Sequence, residues 1–124
     1  GAGRLGTALS MYDGFRQRGF KVVGIFDTDP QKIGQKINGV EICPLEHLEE
    51  IAKDEEARIG IITVPATEAQ NVADKLINAG VKSILNFAPR NLNVPLDVEV
   101  RNVDLAVNLE VLTFNLAMKK PAKK

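Results

Sequence analysis

The sequence is short of cysteine, aromatic residues and net charge, and each shortage excludes something. A single cysteine, Cys43, rules out an intrachain disulfide and any multi-cysteine metal cage, and it suits a reducing compartment. There is no tryptophan and aromatics are 5% of the chain, so any core must be aliphatic. Sixteen basic residues balance sixteen acidic ones, leaving no global positive field to hold a nucleic acid. The longest apolar run, Ile59 to Val64, is far too short to cross a bilayer, and no signal peptide opens the chain. What is present is ordinary for a globular protein: 124 residues, 44% hydrophobic and 26% charged, enough for one domain with a real core. The expectation is a soluble, cytoplasmic single domain with no membrane association.

Short, β-branched segments with little charge read as strands covered on both faces: Val22 to Phe26, Val40 to Ile42, Ile59 to Val64 and Ser83 to Asn86, with a weaker one at Val98 to Val100. Between them run helical patterns. Leu5, Ala8, Leu9 and Tyr12 share a face, as do Leu45, Leu48, Ile51 and Ala52, and Ala69, Val72, Ala73, Leu76 and Ile77. Asp29 before Pro30 reads as the cap of a short helix, and Gly80 as a helix-ending glycine. Alternation of strand and helix predicts an α/β, doubly wound parallel-sheet architecture of the Rossmann type.

The chain divides into residues 1–102, a nucleotide-binding domain; 103–118, a C-terminal helix; and 119–124, a lysine-rich tail that reads as solvated. At about 100° per residue, Leu105, Leu109, Leu112 and Leu116 form one stripe of the C-terminal helix, and Val107, Val111, Phe114 and Met118 a nearly opposite one. A helix laid on one sheet needs one apolar face; this one has two. It is either sandwiched within its own domain or packed between two subunits.

The first residues, Gly1-Ala2-Gly3-Arg4-Leu5-Gly6, are a complete G-x-G-x-x-G motif. In that motif the first glycine permits the tight turn, the second lets the backbone approach a pyrophosphate, and the third lets helix and strand pack closely. The helix that follows points free N–H groups and a partial positive charge at the phosphates. Alone the motif is weak, but a helix pattern follows it, then a strand ending in Asp27 at the usual spacing of about twenty residues. Asp27 is placed to accept hydrogen bonds from an adenosine ribose. A 2′-phosphate would be repelled there, with Asp29 nearby and no arginine in Asp27-Thr28-Asp29-Pro30, which favours NAD(H) over NADP(H). The plainer reading of Asp27 is a turn former before Pro30. The strand that should lead into Gly1 is missing, so these residues are expected to belong to a longer chain.

Ligands in such folds sit outside the carboxyl ends of the strands. Thr63-Val64-Pro65-Ala66 and Asn86-Phe87-Ala88-Pro89 each place a proline just past a strand, and could wall a nicotinamide or simply end the strands. Catalytic candidates are poor. His47, the lone histidine, lies on what reads as a solvated helix face; Cys43 precedes Pro44 without a histidine partner; Tyr12 lacks a lysine at the spacing of tyrosine-based reductases. No catalytic residue and no metal ligand is assigned.

Several segments together resemble one family, the Rex family of redox-sensing transcriptional repressors. They are Gly1 to Leu9, Tyr12 with Gly14-Phe15, Phe26 to Pro30, Thr63-Val64-Pro65 with Ala69-Gln70, Asn86 to Pro89, and Asn102-Val103-Asp104-Leu105. The resemblance runs from Gly1 to about Leu116. It implies a bacterial homodimer in which an N-terminal winged-helix domain, absent from this sequence, binds operator DNA. The C-terminal Rossmann domain would bind NADH or NAD⁺, and the last helix would be swapped into the partner. NADH would close the dimer and release the operator. Carried over by position, Gly1, Ala2, Gly3, Arg4, Leu5 and Gly6 would hold the pyrophosphate and Asp27 the ribose. Thr63, Val64, Pro65, Asn86, Phe87 and Ala88 would line the nicotinamide side. Tyr12 and Asp104 would form a redox-responsive polar pair near the interface that Leu105, Leu109 and Leu112 build. Two other readings stay open from the residues alone: the CoA-binding Rossmann domain of an acyl-CoA ligase, and the cofactor half of an NAD-dependent dehydrogenase.

Overall fold

The computed structural model describes residues 1–104, 112–113 and 115–116. After the opening turn come helices α1 (Arg4–Met11) and α2 (Asp13–Gln17), then strands β1 (Ile25–Asp27), β2 (Lys36–Ile37) and β3 (Val40–Pro44). A 3₁₀ turn at Leu45–His47 leads into α3 (Leu48–Asp54), followed by β4 (Ile59–Ile62), α4 (Ala66–Asn78), β5 (Ser83–Asn86) and β6 (Glu99–Asn102).

The strands form two three-stranded sheets, in the orders β1-β3-β2 and β4-β5-β6. Pairing is parallel for β1 with β3, β4 with β5 and β5 with β6; only the β2–β3 hairpin is antiparallel. This is the expected α/β Rossmann-type architecture with parallel sheets. Helix α4 shows why its sequence chose it. Ala69, Val72, Ala73 and Leu76 recur at helical spacing and are all buried. The two alanines let the helix come close to the sheet, and a Cβ on Gly60 of β4 would meet the Leu76 side chain at 2.5 Å. The main aliphatic core gathers around α4 with Leu48, Ala52, Ile62, Val81, Ile84 and Val98, and a smaller one forms from Ala2, Ile25 and Ile42.

Helix α4 ends as its glycine foretells. Gly80 takes a φ of +95°, its N–H bonds to the Ile77 carbonyl, and the Val81 N–H bonds to that of Leu76. That is a Schellman closure, which satisfies carbonyls a helix end leaves open.

Several expectations need correcting in detail, among them two strand ends: β4 stops at Ile62 and not at Val64, and β6 runs Glu99–Asn102 and not Val98 to Val100. The segment from Val22 forms a strand only from Ile25 to Asp27. Asp29 and Pro30 start a single turn: the Asp29 carboxylate accepts from the Gln31 N–H at 2.9 Å, and Gly34 at φ +94° ends it before a helix forms. The β2–β3 hairpin was unforeseen, although Asn38-Gly39, both at positive φ, is a strong hairpin turn. Helix α1 stops at Met11, before Tyr12. Most of the last helix, including Leu105 and Leu109, and the lysine-rich tail lie outside the described residues. Leu112 and Leu116 are described, as helical residues with exposed side chains.

Replacing Gly80 with Ala forces a Cβ into left-handed backbone and should lower the unfolding free energy by about 1–2 kcal/mol. Urea denaturation would read this as a lower midpoint with unchanged slope.

Candidate functional site

The site is built from the carboxyl ends of β1 and β4, drawn together by the opening turn. The Ala2 N–H donates to Asp27 Oδ2 at 2.8 Å, fixing the turn to the end of β1. Thr63 Oγ1, one residue past β4, donates to the Gly1 carbonyl at 2.8 Å, fixing it to the second sheet. Thr7 Oγ1 then donates to the Ala2 carbonyl at 3.1 Å. Gly6 is dictated by this packing, because a Cβ there would sit on the Gly1 carbonyl oxygen. Gly3 is different: a Cβ on it would meet no protein atom within 4 Å. Packing does not require glycine at that position, and close approach by a ligand would.

Gly3 caps α1 without any side-chain hydrogen bond, and the first turn carries no acidic residue. The leading N–H groups of a helix have no partner within the helix, so this end presents donors and a partial positive charge to an anion. Ala2 offers no such donor, since its N–H is engaged with Asp27 and the residue is buried.

Asp27 is held by its own neighbours. Oδ1 accepts from the N–H groups of Thr28 at 2.7 Å and Asp29 at 3.0 Å, while Oδ2 accepts from Ala2. A carboxylate has about four acceptor sites, so one on Oδ2 remains. Desolvation pushes this carboxyl up, but the three backbone donors, from Ala2, Asp29 and Thr28, outweigh it. The result is a carboxyl held below its ordinary value, ionised and aimed.

A cavity of about 530 Å³ joins these parts. It is lined at one end by Gly1, Gly3, Gly6, Asp27, Thr63, Val64 and Pro65, which the sequence singled out. Lys32 and Glu68, which it did not, line the same space. The cavity continues between the two sheets, past Val22 to Ile25 on one side and Ile59 to Ile61 on the other. Ile59, which opens β4, and Ile61 within it are 49% and 40% exposed there.

The second proline turn lies beside the first. The Phe87 N–H bonds to the Ile62 carbonyl at 2.9 Å, and Arg90 Nη1 donates to the Ala66 carbonyl at 3.1 Å. Gln70 of α4 pairs with the Asn93 backbone in both directions, at 2.9 Å and 2.8 Å. Phe87 is half-buried, while Asn86 and Ala88 are buried, and none of the three lines the cavity. Arg90 was missed by sequence reasoning; its position directly after a turn proline was the available signal.

Tyr12 stands apart from the cavity, 58% exposed, with its ring edge-on to Phe15 at 5.0 Å and Phe15 edge-on to Phe20 at 6.5 Å. A Cβ on Gly14 would strike the Tyr12 ring, so Gly14 seats that aromatic pair. Asp104 is exposed, two residues past the end of β6. His47 is exposed, and Cys43 is half-buried with its thiol near the Glu41 carbonyl at 3.7 Å. Among the described residues no group of His, Cys, Asp and Glu is placed to hold a metal. No helix among them is long and apolar enough to cross a membrane.

Residues 1–90 match the CoA binding domain family. The chain is 62% identical over 120 residues to the redox-sensing transcriptional repressor Rex of Desulfitobacterium hafniense, a match covering 97% of this chain and 57% of that protein. It therefore spans a little over half the length of such relatives. Among solved structures, RSP in complex with β-NADH superposes with a TM-score of 0.91 at 40% identity, over 99% of this chain and 59% of that one. RSP with β-NAD⁺ and operator DNA gives 0.90 at 40% identity, over 99% and 57%.

The depressed carboxyl of Asp27 sets a sign for acid stability. Its contribution is fully present above the ordinary value of 3.8 and is lost as pH falls through the lower folded value. Asp27→Asn would also turn an amide toward a backbone donor. The variant should be less stable than the parent near neutrality, and the gap should shrink in acid below that value. Chemical denaturation at several pH values would check both.

Proposed function

Since the chain belongs to the CoA binding domain family and, within it, stands with the Rex repressors, we propose that it is the NAD(H)-sensing domain of a bacterial, cytoplasmic, redox-responsive transcriptional repressor and not an enzyme. The observation that carries the reading is the uncapped start of α1 beside an ionised carboxylate at the end of β1. The N–H groups from Gly3 to Gly6 hold the pyrophosphate, and the remaining acceptor of Asp27 takes an adenosine ribose hydroxyl. Gly1 and Ala2 shape the turn. The backbone of Arg4 and Leu5 contributes donors within it. Thr63, Val64 and Pro65 follow β4 and, with Phe87 and Ala88 of the neighbouring turn, form the wall for the nicotinamide. When bound, the coenzyme supplies a ring that is neutral when reduced and cationic when oxidised. An apolar wall from Val64, Phe87 and Ala88 favours the neutral form.

RSP, whose structures contain β-NADH in one case and β-NAD⁺ with operator DNA in another, supports reading this chain as the coenzyme half of such a switch. In this reading the protein works as a homodimer through the helix that follows Asp104, with Leu105, Leu109 and Leu112 at the interface and Tyr12 and Asp104 responding to the redox state. Operator DNA is held by a separate winged-helix domain. A ligand moves a two-state dimer only by binding one state better, so NADH must favour the DNA-free form.

The family description favours a second ligand, CoA. Its 3′-phosphorylated ribose would meet Asp27 and Asp29, and the relatives named as repressors support NAD(H). The gap between β1 and β4 is, in the same reading, the place of a further parallel strand that runs into Gly1. It would join the sheets in the order β2-β3-β1, new strand, β4-β5-β6. Ala2 bonded to the end of β1 and Gly1 bonded beside β4 set its endpoint.

Calorimetry on the full-length protein should show NADH binding more tightly than NAD⁺, and CoA failing to displace it. Asp27→Ala should weaken NADH by about ten- to a hundredfold, as loss of a charge-assisted hydrogen bond and its ordered turn requires. Displacement of NADH by CoA would overturn the reading in favour of the second ligand. Sedimentation should show a dimer that Leu109→Glu dissociates.

A further inference from the structure

Asn86 is the polar residue most deeply buried among those described, with no exposed surface. The sequence placed it among the residues that would touch the coenzyme. Its side chain is instead wholly occupied. Oδ1 accepts from the Ala88 N–H at 3.0 Å. Nδ2 faces three oxygens: the carbonyls of Ala88 at 3.2 Å and Arg90 at 2.9 Å, and Asn102 Oδ1 at 3.0 Å. Its backbone carbonyl accepts from the Val103 N–H at 2.8 Å. Asn86 and Asn102 lie opposite each other in the β5–β6 register.

We propose that Asn86 is a positioning residue: its buried amide ties the Phe87–Arg90 turn to Asn102 at the end of β6, while its backbone carbonyl receives the Val103 N–H. The turn and the segment leading toward the last helix then have one common anchor. A ring resting on Phe87 and Ala88 is placed through that anchor without touching it. The inference rests on the reading above, in which the nicotinamide lies against this turn.

The chemistry demands an amide. One face of the side chain must accept and the other must donate toward three oxygens, which only Asn satisfies at this length. Aspartate has nearly the same shape but would aim an anionic oxygen at all three. Leucine would leave the buried Ala88 N–H without its acceptor and take the amide donor from the Arg90 carbonyl, while the Ala88 carbonyl would keep only the Arg90 N–H. Asn102 is exposed and supplies one acceptor, so its loss loosens the anchor without dismantling it.

The test uses the full-length protein with Asn86→Asp and Asn102→Ala, titrated separately with NADH and ADP-ribose. ADP-ribose carries the adenosine, both riboses and the pyrophosphate but no nicotinamide. Asn86→Asp should weaken NADH by about tenfold or more while ADP-ribose changes by less than about twofold. Asn102→Ala should move NADH in the same direction by about threefold, again sparing ADP-ribose. Should Asn86→Asp fail to fold, the Asn102→Ala split decides alone. Unchanged NADH affinity, or equal losses for both ligands, overturns the proposal. Parent protein that binds neither NADH nor NAD⁺ overturns the functional reading beneath it, which is a separate and recognisable result.

Discussion

The hydrogen bond from the Ala2 N–H to Asp27 is the constraint on which the rest of the site depends. It brings a glycine turn and a strand end, 25 residues apart in sequence, to 2.8 Å, and fixes where α1 begins. The same carboxylate is kept ionised by the two N–H groups after it, so the anion that orders the turn is also the acceptor left facing the cavity. Neutralising it would weaken the fold and the site together. The Thr63 hydroxyl on the Gly1 carbonyl performs the matching task for the other sheet. The opening turn is thus a bridge between the two sheets, which among the described residues share no strand pairing.

From there the structure runs as a series of ties along the carboxyl edge of the second sheet. Thr63 leads to Pro65, which starts α4; Arg90 returns to the first carbonyl of that helix; Gln70 holds Asn93; and Asn86 holds the turn between them. The ties at Arg90 and Gln70 are exposed and polar, while Asn86 is sealed. A buried polar network specifies one geometry when every member is satisfied, and no buried side-chain polar atom among the described residues lacks a partner. The Phe87–Arg90 turn is therefore tied into one hydrogen-bonded geometry.

Much of this was legible in the residues. The G-x-G-x-x-G turn before a helix, the acid that ends the next strand at Asp27 and the helix-ending glycine at Gly80 are local signals, and the structure places each of them on the element expected. Strand extents were less legible because apolarity marks burial and not pairing: Val22 to Gly24 are as β-branched and small as their neighbours, yet lie beside a gap with nothing to pair with. The hairpin at Asn38-Gly39 was readable but overlooked. Asn86 was placed on the nicotinamide side by the family resemblance, and an asparagine at a strand end suits either ligand contact or a structural tie. Only its burial separates them, and burial of a single polar side chain is a tertiary property that no local pattern carries. The two-sided helix after Asp104 was argued from periodicity alone, and most of it lies outside the described residues.

The gap between β1 and β4 has a consequence for strand pairing. Among the described residues each of those strands ends its sheet, so each presents there a row of peptide groups with no ladder partner, flanked by the isoleucines of β4. Such a row is a template on which another extended chain can crystallise into register. Among the described residues these two rows stand open toward each other, so an extended segment laid between them would find main-chain partners on both sides.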